Sequence, residues 1–205
     1  MRTLIIETST AACSVALVDD GAVVASAHEV VGRGHAERLV PMIAELPGGG
    51  RAERILVDVG PGSFTGIRVG IAAARGLAFG WGADVHGFSA LPLIAAAAFA
   101  DDPAIPALAV VLEGGHGEVF MQGFSAPPLA ETGPFASLRP DAALAALGTL
   151  PAFGNGVRHL AALDATQTLT ERLPDAAAAI LLPPALTALP PRPIYGRAPD
   201  AKVPG

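Results

Sequence analysis

Lysine is almost missing from this chain: of its 13 Lys and Arg residues only Lys202 is a lysine, and it stands close to the C-terminus. A Walker A loop needs a lysine on the β- and γ-phosphates, and Schiff-base catalysis needs a buried one, so both chemistries are excluded. Cysteine is represented by Cys13 alone, which rules out an intrachain disulfide, a CxxC redox pair and a cysteine-based zinc site. Long apolar runs are absent too: the most apolar window, residues 90–100, is too short to cross a bilayer and contains Pro92. Met1 leads directly into a strand pattern without the apolar stretch and small-residue cleavage site of a signal peptide, and a cytoplasmic protein is expected. Charged residues make up only 16% of the chain, with a formal net charge of -6 and no basic face of the kind a self-sufficient nucleic-acid binder carries.

What remains is apolar and small. Hydrophobic residues make up 51% of the 205 positions and aromatics 5%, and alanine alone fills about one position in five. A chain of this length buries roughly 70% of its unfolded surface, enough for one domain or two small lobes without a staple. Leu4-Ile5-Ile6, the alternating stretch 14–18 and the stretch 22–25 after the Asp20-Gly21 turn predict a three-strand meander. His35, Leu39, Met42 and Leu46 recur at helical spacing, with Pro41 expected to kink that helix or mark its start and Pro47-Gly48-Gly49-Gly50 to stop it. A buried strand at 55–59 feeds Gly60-Pro61-Gly62-Ser63-Phe64-Thr65-Gly66, and a long helix follows over about 64–80. Beyond Asp84 the order is a strand, an Ala-rich helix at 91–100, a break at Asp101-Asp102-Pro103, and a strand pair at 107–112 and 118–124. Short Ala/Leu helices and a Pro-rich tail from Pro183 complete the chain. Both halves place strands before helices, with a boundary near Asp102.

The glycine segment has two readings. Free N–H groups at a helix start attract anions, but G-x-G-x-x-x-G is one residue longer than the dinucleotide fingerprint; a tight turn capped by Ser63 explains it as well. In the long helix, Phe64, Ile67, Ile71, Ala74, Ala78 and Trp81 fall on one face, the expected sheet side. Gly66, Gly70, Ala73, Leu77 and Gly80 form a second stripe. Each helical glycine costs up to ~1 kcal/mol relative to alanine, so this stripe predicts close approach by another helix, either within the chain or on a partner. Arg68 and Arg75 lie on a third face, by default a solvated one. Cys13, in a strand pattern without a neighbouring base, reads as a buried structural thiol.

Glu7-Thr8-Ser9, Cys13-Ser14-Val15-Ala16-Leu17, the segment 35–43 and above all the segment 60–70 resemble the TsaB (YeaZ) family, which acts in tRNA threonylcarbamoyladenosine biosynthesis. The likeness is dense from Thr3 to about Leu91 and thins to Gly117-Glu118-Val119, Gly154-Asn155-Gly156 and Pro193-Ile194-Tyr195-Gly196-Arg197. Two departures stand out: the stretch between Met42 and Gly60 is short for the family, and Glu113-Gly114-Gly115-His116 replaces a more usual Asp followed by two arginines. The resemblance implies an α/β fold of two actin-like (ASKHA, ribonuclease H-like) lobes, mixed sheets flanked by helices. The lobes would be an N-terminal one over 1–102 carrying the partner-binding helices and a smaller C-terminal one over 103–205 with the Pro-rich tail. It implies a non-catalytic scaffold for a larger catalytic homologue, TsaD, joined in the complex by the ATPase TsaE. The chain would be a homodimer when alone and would meet tRNA only through the complex. His35, Leu39, Met42, Leu46, Gly66, Gly70, Ala73 and Leu77 are the candidate partner-binding residues.

Two rivals are weighed at their residues. Metal-dependent members of the wider superfamily carry two histidines four apart on a helix; here His35 has Leu39 at that place, and no metal is expected. The rival function is a nucleotide-binding ATPase or kinase, for which Glu7, Thr8, Ser9, Glu113, Gly114, Gly154 and Asn155 stand at suggestive places. Glu7 is longer than the Asp expected there and no second carboxylate is evident, so these residues read as a degenerate nucleotide site, with no catalytic residue and no cofactor. The net charge of -6 generates a first prediction: the isolated chain binds tRNA no tighter than about micromolar at physiological salt. Filter binding measures this, and a submicromolar dissociation constant would contradict it.

Overall fold

In the computed structural model, which describes residues 1–196, strand β1 (Arg2–Glu7) runs through the middle of the first sheet and is buried on both faces from Thr3 onward. Its continuous apolar run, without polar alternation, suits that central place. β2 (Ala12–Asp19) pairs antiparallel with β1, and β3 (Ala22–Val30) with β2. β3 is an edge strand whose residues alternate between exposed and half-buried, as a strand with one wet face should. On the other side of β1 lie β4 (Arg54–Asp58) and β5 (Asp84–Phe88), both parallel to it, giving the order β3-β2-β1-β4-β5. Arg197 and Lys202 lie outside the described residues.

The second sheet repeats the plan. β6 (Ala107–Gly115) pairs antiparallel with β7 (Glu118–Ser125), which also carries β8 (Ala130–Glu131) and β9 (Ala136–Leu138). On its other side β6 runs parallel to β10 (Ala152–Phe153), and β10 to β11 (Leu169–Thr170). Helices fill matching crossovers: α1 (His35–Glu45) and α2 (Phe64–Trp81) in the first half, α4 (Pro140–Leu147) and α5 (Val157–Ala161) in the second. Between the halves stands α3 (Ala90–Asp101), buried from Ala90 to Phe99. Its Leu91, Ile94, Ala95 and Ala98 pack against the second sheet, while Leu93 and Ala96 pack against the first. A helix apolar all round belongs between two layers.

Several expectations are refined. α1 starts at His35 and continues through Pro41, whose exposed ring leaves the Glu37 carbonyl to solvent. The short link to β4 turns through Gly48, Gly49 and Gly50, all at φ between 66 and 68°, a conformation that residues with a Cβ disfavour. Past β11 the chain returns to the first sheet: Ala176, Ala179 and Leu182, in and beside a 3-10 turn, pack on Ile5, Ala16 and Leu56. Leu189 then bridges Gly87 on β5, and the Ile194 amide donates to the Val59 carbonyl at 2.8 Å.

The glycine stripe of α2 has a different cause from the one expected. A Cβ on Gly66 would strike the Thr8 carbonyl oxygen; one on Gly70 would strike the Thr8 hydroxyl and lie in ordinary contact with Val57 and Ile6. What approaches these glycines is the end of β1, with Thr8 Oγ1 donating to the Gly66 carbonyl at 2.8 Å; Ala73 and Leu77 pack against the core cluster that includes Leu39, Met42 and Ile43 of α1. Replacing Gly70 with leucine is therefore expected to destabilise the chain by at least ~1–3 kcal/mol through overpacking. Gly76→Ala, which meets nothing within 4 Å, should be neutral or stabilising by up to ~1 kcal/mol. Thermal unfolding of the two variants checks this, and equal midpoints would refute it.

Candidate functional site

The turns that follow β1 and β4 and the start of α2 form one wall of a cleft of about 850 Å³, and β6, β7 and the turn after β10 form the other. On the first wall the chain leaves β1 at Glu7 and turns sharply through Thr8, Ser9 and Thr10. Glu7 Oε1 accepts from the Ser9 amide at 2.6 Å and the Ser9 hydroxyl at 2.7 Å. The Ser63 amide donates to the Ser9 carbonyl at 2.6 Å, and Ser63 Oγ caps α2 by accepting from the Gly66 amide at 3.2 Å, as the turn reading expected. Gly62 and Gly66 are the residues that let the Ser9 and Thr8 carbonyls come this near.

The residues read from sequence as a degenerate nucleotide site separate into two groups. Ser9, Glu113, Gly114 and Asn155 line the cleft. Glu7 and Thr8 are fully buried behind it, and Gly154 presses its backbone on Val111. Glu113 is held by Arg158 and, at 3.1 Å, by His159 Nε2. Partial burial opposes its ionisation, but these two partners outweigh burial and keep its carboxyl below the ordinary glutamate range. The Asn155 side-chain carbonyl accepts from the Glu113 amide at 3.1 Å.

A second carboxylate, missed in the sequence, does stand beside Glu7. Asp58 ends β4, one residue past Val57, which pairs in register with Ile6, and both carboxyls are 0% exposed. The signal was available: two parallel strands each ending in an acid. Burial, first, and for Glu7 also the charge of Asp58, push both groups above the ordinary carboxylate range, Asp58 to about 6. The cleft mouth holds another feature that the sequence hid. Phe64, expected on the sheet side of α2, is 57% exposed. Its ring lies 3.3 Å from the Arg68 guanidinium carbon and 5.8 Å from the Tyr195 ring, and Arg68 also donates to the Tyr195 hydroxyl at 2.8 Å. Arg75 donates to the Pro191 carbonyl at 2.7 Å. Both arginines are exposed, as a solvated face requires, and both also reach the returning C-terminal segment.

The candidate partner residues also sort by burial. His35, Leu39, Met42, Leu46, Gly66 and Gly70 are buried within the lobe itself; the His35 Nε2–H donates to the Ala12 carbonyl at 2.9 Å. Ala73 and Leu77 are half-exposed. Next to them α2 presents Ala72, Gly76 and Gly80, and α1 presents Ala36, Val40 and Ala44, all exposed. Among the described residues no group of three or more His, Cys, Asp or Glu side chains is placed to hold a metal ion, and no helix is long and apolar enough to cross a membrane.

Comparison with known proteins follows the same geography. A family model described as TsaD, tRNA N6-adenosine threonylcarbamoyltransferase, matches residues 23–126. The tRNA threonylcarbamoyladenosine biosynthesis protein TsaB of Escherichia coli is 41% identical over 129 residues, covering 58% of this chain and 53% of that protein. The protein of the same name from Haemophilus influenzae is 43% identical over 101 residues, 47% of this chain and 42% of that one. The chain thus spans about half the length of the curated relatives it matches. A solved Pseudomonas aeruginosa structure, titled as an uncharacterized protein with similarity to peptidase YEAZ, superposes with a TM-score of 0.78 at 29% identity, covering 96% of this chain and 99% of that one. The two mixed sheets and their flanking helices form a two-lobed α/β fold shared with that structure.

Cys13 generates the prediction here. It is 0% exposed, and burial, with a smaller contribution from the Glu7 charge, pushes its thiol up to about 11. Iodoacetamide at neutral pH is expected to leave the native chain unlabelled by mass spectrometry and to label it fully after denaturation. Labelling of the native chain at the rate of a free thiol would refute this.

Proposed function

The chain belongs to the tRNA N6-adenosine threonylcarbamoyltransferase (TsaD) family, with its likeness to TsaB (YeaZ), and from that premise we propose that it is a non-catalytic subunit for threonylcarbamoyladenosine formation on tRNA. Its partners in this reading are the catalytic homologue TsaD and, within the complex, the ATPase TsaE; alone it forms a homodimer in the cytoplasm. The lobes are proposed to divide at 1–102 and 103–205.

One observation carries the reading. α1 and α2 pack against each other, and each leaves small residues exposed, Ala36, Val40 and Ala44 on α1 and Ala72, Gly76 and Gly80 on α2. Such a face admits close packing by two further helices, as in a four-helix contact. The partner-binding stripe is accordingly proposed to run through Ala73 and Leu77 and their exposed neighbours. His35, Leu39, Met42, Leu46, Gly66 and Gly70 serve as its internal support. The non-catalytic part of the reading is supported by the cleft: Glu7 and Asp58 are buried, and Glu113 is engaged by Arg158 and His159.

Replacing Ala72 with arginine leaves the core untouched and places a long charged side chain on the proposed face. The variant is expected to keep the wild-type circular dichroism and thermal midpoint while losing co-purification with TsaD of the same organism by at least tenfold. Retained co-purification would overturn the assignment of the face. Absence of binding by the unaltered chain would overturn the reading itself. Turnover of ATP by the isolated chain would favour the ATPase reading instead.

A further inference from the structure

Glu7 and Asp58 are the two fully buried acids at the head of the first sheet, and nothing in the proposed function uses them. Each has one oxygen engaged: Glu7 Oε1 by Ser9, and Asp58 Oδ1 by the Gly60 amide at 2.6 Å. Each has the other, Glu7 Oε2 and Asp58 Oδ2, buried without a hydrogen-bond donor. Adjacent parallel strands bring the two side chains together, since Ile6 pairs with Val57 and each acid is the next residue on its strand. We propose that Glu7 and Asp58 share one proton between these two oxygens, and that the resulting O–H···O bond ties the ends of β1 and β4 together beneath the start of α2.

Two ionised carboxylates in contact, out of water and without a cation, would each carry the full cost of desolvation plus mutual repulsion. One retained proton removes the repulsion and turns two orphaned acceptors into a donor and an acceptor. The donors around the pair are neutral groups. The groups that face the pair are the Ser9 hydroxyl and amide, the Gly60 amide and, from the N-terminus of α3, the Ala90 amide. On β2 stand Cys13, a neutral thiol, and Ser14, which pairs with Glu7 across the sheet and donates to Asp175 at 3.2 Å. Asp175 adds negative charge on that side, with His28 Nδ1 at 3.8 Å from it. Among the described residues, the main influences on the two carboxyls are burial, these neutral donors and each other. The two acids titrate as one unit, so the proton belongs to the pair and not to either residue.

The consequence is a pH dependence opposite to that of ordinary surface acids. Both carboxyls are raised on folding, chiefly by burial. The folded chain therefore holds a proton that the unfolded chain has already released. The pair's contribution to stability is fully present below the ordinary carboxylate range and declines as pH rises through the folded value. The exposed acids Glu29, Glu45, Asp20 and Asp164 shift the other way, held down by hydrogen bonds to cations or hydroxyls, so the effect must be read as a difference.

The test compares wild type with Glu7→Gln and Asp58→Asn, which replace a titrating acid by a neutral amide able to donate the same bond. Between about pH 5 and pH 8 the wild-type unfolding constant, relative to either variant, is expected to rise by up to about tenfold per pH unit. Identical pH profiles for all three proteins would overturn the proposal. Should a variant fail to fold, infrared spectroscopy of the wild type decides alone. A protonated carboxyl C=O band persisting above the ordinary carboxylate range supports the shared proton. Its loss within that range, with the protein still folded, overturns it.

Discussion

The first lobe is organised by how near the turn after β1 comes to the start of α2. The carbonyls of Ser9 and Thr8 occupy the places where side chains on Gly62 and Gly66 would be, and the Thr8 hydroxyl occupies that of Gly70. That contact fixes the helix against the sheet at backbone distance and sets the direction in which α2 runs. It thereby fixes which residues face inward, Ile67, Ile71, Ala74 and Ala78, and which small residues are left outside. Gly66 and Gly70 weaken the helix in isolation, and the hydrogen bonds from Thr8 and to Ser9 offset that loss only in the assembled lobe. The helix is thus stable because of the strand end it covers.

Small side chains are also what joins the two halves. α3 touches both sheets, and alanines at Ala95, Ala96 and Ala98 let it do so without splaying them. The segment beyond Asp175 adds a second tie. Its amides and carbonyls pair with Ser14, Gly87 and Val59, and Tyr195 closes over Phe64 and Arg68 at the cleft mouth. A backbone strap of this kind needs few apolar residues, which is how a Pro-rich stretch without regular structure can still hold to the sheet.

Local periodicity made the elements legible: the meander, the long helix with its Ser63 cap, and the β6–β7 pair all follow from alternation, turn residues and spacing. The site was less legible, because its defining relations are between residues distant in the chain. Asp58 looked like the polar end of a strand until the register set it beside Glu7. Phe64 looked like core on a helical wheel, yet as the first residue of α2 it projects past the edge of the sheet toward Tyr195, 131 positions later by the chain numbering. The glycine stripe announced a close approach correctly, but spacing within one helix carries no information about whether a strand or a helix makes it.

The repeated topology lets the two lobes be compared at one point. In each, the central strand is flanked by an antiparallel hairpin partner and a parallel crossover strand, and each ends near a glutamate, Glu7 in β1 and Glu113 in β6. The second lobe places Gly154 and Asn155 after its crossover strand where the first has Asp58. Without a neighbouring acid, and with the short helix α5 presenting Arg158 and His159, Glu113 stays ionised at the cleft surface. Glu7 has an acid for a neighbour, and burial together with that acid draws it toward its protonated form. The same residue type at equivalent ends of the two sheets is therefore charged in one lobe and tied into the core of the other. That difference follows from the neighbours, an acid beside Glu7 and two basic side chains beside Glu113, and it leaves the cleft with one engaged carboxylate on its second wall and none on its first.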